Sequence, residues 1–146
     1  MKPIGYWLNR TDQALTDHMD RMLAEFGLTR LAWQVLNAVQ DATETTDGDV
    51  LKMLAANADV PALTAAIDTV LTGGWASRPA QDRLALTPQG VHRLAGVAER
   101  VEAFRALSMT GISMDEYRTT VSVLERMTHN LETTATPGPA QRVQPT

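Results

Sequence analysis

A mostly α-helical chain with one small β-hairpin, in the order α-α-α-α-β-β-α-α, is predicted by three features of the sequence. Apolar residues recur at helical spacing through most of the chain. Between Trp75 and Leu86 that period gives way to two short runs flanking the turn Pro79-Ala80-Gln81-Asp82, which reads as a hairpin. Helix-start residues stand where periodic segments begin: Thr29, the pair Thr87-Pro88, and Ser113 with Glu116 at capping-box spacing.

The first helix is expected from about Pro3 to Phe26, with Ile4, Leu8, Leu15, Met19, Met22, Leu23 and Phe26 on its apolar side and Gly27 as its stop. Its stripe is long, and Tyr6 and Trp7 widen it, which suits packing against a second subunit. A second helix spans about Thr29 to Asp41, with Leu31, Val35, Leu36 and Val39 inward. Ala42 to Gly48 is polar and reads as a turn. A third helix, about Asp49 to Asn57, and a fourth, about Pro61 to Thr72, are joined by Ala58-Asp59-Val60. Two short helices with a tight connector make a helix-turn-helix in one dimension.

Gly73-Gly74 ends the fourth helix, and the hairpin that follows would be a wing. The fifth helix runs from Thr87-Pro88 to about Leu107, with Val91, Leu94, Ala95, Ala98, Val101 and Phe104 on its expected buried side. After a break at Met109 to Ile112, the last helix runs to about Leu131 and carries Met114, Tyr117, Val121, Leu124, Met127 and Leu131 on one face. Residues 133–146 contain three prolines and no apolar period, and a disordered tail is expected there. The reading is one domain over residues 1–132: a dimerisation lobe from 3–26 and 108–132, and a winged helix-turn-helix with connecting helix over 29–106.

Composition narrows the function. The chain has 146 residues, enough for one compact domain, and 44% of them are apolar. It has no cysteine, which excludes disulfides and thiolate chemistry. No apolar run approaches the roughly 20 residues of a membrane span, and no signal peptide is read at the N-terminus, so a cytoplasmic protein without a membrane partner is expected. His18, His92 and His129 have no metal-ligand spacing, no phosphate-binding glycine loop follows Gly73-Gly74, and no serine sits in a nucleophile elbow. No enzyme activity, metal or cofactor is expected. The net charge of −4 weighs against purely electrostatic nucleic-acid binding.

Three local patterns resemble the MarR family of winged helix-turn-helix transcriptional regulators. Gly27 to Leu36 (GLTRLAWQVL) is similar to the family's "GLT…W.VL"; Ile67 to Trp75 (IDTVLTGGW) to its "VDRLEEKGLV"; Asp82 to Gly90 (DRLALTPQG) to a compressed "DRR…LT..G". The resemblance covers about Ile4 to Leu131. It implies a homodimer whose first and last helices pack across the two-fold axis, and in which each subunit offers its fourth helix and wing to double-stranded DNA. It also implies a ligand-responsive repressor with a small-molecule effector between the dimer and DNA lobes.

Carried onto this chain, the resemblance makes Arg30, Ala62, Thr64, Ala65, Thr69, Arg78 and Arg83 candidate DNA contacts. The threonines can meet bases or phosphates, the alanines can touch a thymine methyl, and the arginines can pin phosphates or enter the minor groove. Tyr6, Trp7, Met19, Met22 and Trp33 would line a pocket for a small apolar or aromatic effector. The chain departs from the family in two ways. Ala65 and Thr69 occupy positions where the family places arginine, and the wing is shorter. From Asp47 to Gly90 there are three basic and five acidic residues. An alternative reading follows from these departures: a MarR-like dimer deficient in DNA binding that serves as a small-molecule or protein-binding module.

Overall fold

In a computed structural model the described residues are 1–134. They divide into two compact units, Met1–Arg105 and the segment from Ala106 onward. Residues 135–146 of the expected tail lie outside them, while Thr133 and Thr134 extend the last helix.

The first unit begins with α1 (Ile4–Glu25), α2 (Arg30–Asp41), β1 (Thr45–Thr46), α3 (Asp47–Met53) and α4 (Val60–Thr72). It continues with β2 (Ala76–Ser77), β3 (Arg83–Leu86) and α5 (Pro88–Ser108), whose last turn runs into the second unit. Local chemistry sets these bounds. α1 ends where Gly27 takes φ +73°, a backbone conformation that side chains resist. The Thr29 hydroxyl accepts from the Ala32 N–H at 3.1 Å and starts α2. Asp59 does the same for α4, accepting from the Ala62 N–H at 2.9 Å, with Pro61 in the first turn.

Two elements differ from the sequence expectation. α3 starts at Asp47 rather than Asp49, because Thr46 and Asp49 form a reciprocal capping box. The Thr46 hydroxyl accepts from the Asp49 N–H (3.1 Å), and the Asp49 carboxylate accepts from the Thr46 N–H (3.0 Å). These bonds hold the Asp49 carboxyl below its ordinary pKa. The expected turn at 42–48 also contains β1. The sheet order is β1-β3-β2, antiparallel throughout, with Thr45 opposite Leu84 and Ala76 opposite Leu86. A two-residue strand inside a polar run carries no period to read.

α2 is the centre of the core. Ala32, Val35, Leu36 and Val39 are buried in one cluster with Leu23 of α1, Val50 of α3, Ile67 and Val70 of α4, Leu84 of β3, and Leu94, Val97 and Val101 of α5. The buried line of α5 therefore runs through Val97. Val91, Ala95 and Ala98, expected inward, are exposed, and Phe104 is half-buried. On α1 only Met22 and Leu23 are buried, while Ile4, Trp7, Leu8 and Leu15 are exposed.

Thr87 joins the wing to α5. Its hydroxyl donates to the Gly74 carbonyl (2.7 Å) and accepts from the Gly90 N–H (2.8 Å), and its own N–H donates to the Trp75 carbonyl (3.0 Å). Gly90 passes so close to Trp75 that a Cβ there would lie 1.9 Å from the Trp75 carbonyl oxygen. Arg93, one turn on, lies over the Trp75 ring at 3.8 Å and donates to the Gly73 carbonyl at 3.1 Å.

Thr45 is 2% exposed and its hydroxyl has no hydrogen-bond partner. A buried unpaired hydroxyl is destabilising by about 1–3 kcal/mol. Thr45→Val keeps the shape and the strand preference and removes that group. We expect it to raise stability by about 1 kcal/mol in urea unfolding; a loss of stability would show that the hydroxyl is satisfied.

In the second unit, α6 (Met114–Thr134) follows a short link. Ser113 and Glu116 form the capping box expected from their spacing, with both bonds at 3.0 Å, and Glu116 is held below its ordinary pKa by them. No residue of α6 is buried. Met114, Tyr117, Val121, Val123, Met127 and Leu131 are exposed, and Leu124 is half-buried.

Candidate nucleic-acid interface

α4 buries Leu63, Ala66, Ile67 and Val70 and turns Pro61, Thr64, Ala65, Asp68, Thr69 and Thr72 to solvent. Ala62 is half-buried on the flank. The Thr69 hydroxyl donates to the Ala65 carbonyl at 2.9 Å. α4 itself carries no lysine, arginine or histidine. The backbone N–H groups at the starts of α3 and α4 are met in part by the carboxylates and hydroxyl of their own caps.

All three candidate arginines are held by carboxylates. Arg78 makes two bonds to Asp47, at 2.8 and 2.9 Å, in a planar fork that raises its pKa above the ordinary value, chiefly through the hydrogen bond to Asp47. Arg83 meets Glu44 at 2.6 Å, and Arg30 lies 3.7 Å from Asp20. The wing is tied to the start of α3 a further time, since the Asp47 N–H donates to the Asp82 carbonyl at 3.1 Å. Asp82 itself takes φ +62° in the turn, a conformation that Asp tolerates better than most residues. Lys52 is exposed near the end of α3. The sequence shows the excess of acid over base in this region, but not that Asp47 and Glu44 close onto the wing arginines. Strand β1, which carries them across, had no signal of its own.

Neither of the two described cavities that these residues reach is lined by more than one of the five candidate effector residues. Tyr6 and Trp7 pack edge to face at 5.1 Å, and Arg10 donates to the Tyr6 hydroxyl at 3.0 Å. Met22 lines an open cavity of about 250 Å³ with His18, Arg21, Glu25 and Arg100. His18 stacks on Phe104 at 4.8 Å, and Arg100 pairs with Glu25 at 2.7 Å. Trp33 lines a separate cavity of about 240 Å³ between α2 and α5, which Asn37 and Ala98 also line. Met19 is half-buried against the core. Among the described residues no group of three or more acidic or histidine side chains is placed to hold a metal ion, and no helix is long and apolar enough to cross a membrane.

This arrangement is that of the MarR-type winged helix. A MarR family protein of Mycobacterium tuberculosis, solved in complex with DNA, superposes with TM-score 0.68 at 20% identity, over 87% of this chain and 98% of that one. BpsR of Bordetella bronchiseptica, whose DNA binding is regulated by 6-hydroxynicotinic acid, gives TM-score 0.65 at 21% identity, over 87% and 94%. MepR, a transcription regulator of the Staphylococcus aureus multidrug efflux pump MepA, gives 0.71 at 17% identity, over 89% and 99%. These likenesses establish the fold. By sequence, the chain matches no protein-family model and no curated protein.

Proposed function

We propose that this chain is a MarR-family regulator: a cytoplasmic, sequence-specific DNA-binding protein acting as a ligand-responsive homodimeric repressor. One observation carries the reading. α4 presents a full outward face, and a wing that carries Arg78 after β2 and Arg83 at the start of β3 stands in the same unit. In this reading α4 enters the major groove with Ala62, Thr64, Ala65 and Thr69 toward the bases. Arg78 and Arg83 reach phosphates or the minor groove from the wing, and Arg30 contacts the backbone. The solved DNA complex of a protein with this fold supports it.

The dimer accounts for exposed apolar surface. Trp7, Leu8 and Leu15 of α1, and Tyr117, Val121 and Met127 of α6, are exposed in the single chain. Monomers rarely leave such patches uncovered. Leu124→Asp places a charge within the α6 patch. Sedimentation is expected to show half the native mass, together with loss of operator binding; an intact dimer would overturn the interface. The effector would be a small apolar or aromatic molecule, taken by Tyr6, Trp7, Met19, Met22 and Trp33 once the dimer closes their surroundings. It would act by binding the DNA-competent and DNA-incompetent states with different affinity.

The test is fluorescence anisotropy with a duplex from the gene's upstream region against a scrambled duplex, at two salt concentrations. Preference for the upstream duplex, weakening with salt, is expected. Arg83→Ala is expected to weaken binding to both duplexes alike, because it leaves the Glu44 carboxylate unpaired and repelling phosphate. Unchanged affinity would remove Arg83 from the interface. A second reading is favoured by the carboxylates on Arg78, Arg83 and Arg30: the fold and dimer are kept while a ligand or protein is bound in place of DNA. Equal, weak binding to both duplexes would support it.

A further inference from the structure

At about 3.6 residues per turn, Pro61, Thr64, Ala65, Asp68 and Thr72 fall on one side of α4, opposite the buried Leu63, Ala66, Ile67 and Val70, with Asp68 near the middle. Asp68 is exposed and its charge acts on Arg78 through space, but among the described residues no hydrogen bond or salt bridge occupies its carboxylate. Its acidic neighbours have structural work: Asp47 and Glu44 hold arginines, and Asp49 and Asp59 cap helices. Thr69 turns its hydroxyl hydrogen to the Ala65 carbonyl, so a methyl and an acceptor remain to face a partner.

A carboxylate at the centre of a groove-facing helix repels phosphate. Among the pairings that base edges offer in the major groove, the one that suits it is the N4 amino group of cytosine. Methyl groups there meet the C5-methyl of thymine. With Arg78 and Arg83 already neutralised, discrimination falls to these uncharged and acidic contacts rather than to arginine on guanine. Building on the DNA-binding reading above, we propose that Asp68 is the specificity-determining residue of α4. It accepts a hydrogen bond from a cytosine amino group, while the methyls of Thr64, Ala65 and Thr69 meet thymine methyls. Each half-site then holds a C·G pair flanked by T·A pairs.

The test is selection from a pool of random-sequence duplexes, run in parallel with the native chain and with Asp68→Asn. Anisotropy follows on the selected duplex with its thymines replaced by deoxyuracil. The native chain selects an inverted repeat with C flanked by T in each half. Asp68→Asn, whose amide suits adenine, selects A in place of C at that pair, with a preference of about tenfold. Deoxyuracil, which lacks the methyl, weakens native binding by about fourfold per contacted position. A consensus without that pair, a consensus unchanged by Asp68→Asn, or indifference to deoxyuracil overturns the assignment and leaves sequence-specific binding standing. Failure of the native chain to select any consensus removes the DNA-binding reading and this inference with it.

Discussion

Gly90→Ala is expected to destabilise the protein by about 3 kcal/mol or more, lowering its thermal midpoint by about 10 °C. The added Cβ would stand 1.9 Å from the Trp75 carbonyl oxygen and 3.1 Å from the Thr87 hydroxyl oxygen. The first neighbour is backbone, which cannot rotate away. Relief requires moving β2 or the start of α5, and both are fixed by the Thr87 bonds to Gly74, Trp75 and Gly90. Trp75 is 3% exposed, so its displacement opens the core beneath the wing. Differential scanning calorimetry checks this, and a midpoint within a degree or two of native would mean that α5 and the wing are not joined as described. Thr87→Val is a useful companion, because it removes the hydroxyl while keeping the shape.

Asp47→Asn is expected to strengthen binding to non-specific DNA. In the native chain Arg78 is bound through both terminal nitrogens to Asp47, and the pair is neutral as a unit. A phosphate approaching the wing therefore meets little net charge and releases few counterions. Removing the carboxylate's charge frees the guanidinium, so log affinity against log salt should steepen by about 0.9 for one additional phosphate neutralised. Glu44→Gln should add a similar increment through Arg83. The structural penalty is small, since exposed ion pairs contribute about 0–1 kcal/mol, and the α3 capping box uses Thr46 and Asp49 rather than Asp47. If Asp47→Asn instead weakens binding, Asp47 orients Arg78 for contact rather than restraining it.

The sequence made most of the frame legible where a physical rule acts locally, the Thr46–Asp49 box at the start of α3 being the exception. Thr29, Pro61, Thr87-Pro88 and the Ser113–Glu116 box all mark helix starts, because each supplies an acceptor, or a missing donor, where backbone N–H groups are unpaired. The hairpin was legible from the change of period. β1 was not, because it consists of two threonines whose strand character comes only from pairing with β3. The outward face of α4 followed from periodicity. The state of the arginines did not, because Asp47 and Arg78 are far apart in sequence and meet only through the fold. The α1 and α6 stripes read correctly as apolar, but periodicity alone does not say whether a stripe meets its own core or another surface. Here Met22 and Leu23 lie in the core, while Trp7, Leu8 and most of the α6 face do not.

The central claim is that α4 and the wing read DNA sequence. Its most direct test is to incubate the native protein with fragmented genomic DNA of the source organism at moderate salt and sequence what is retained. Strong enrichment of a few fragments sharing one inverted repeat, lost on raising the salt, is expected. Retention spread evenly over the genome, or none above a protein-free control, would contradict it.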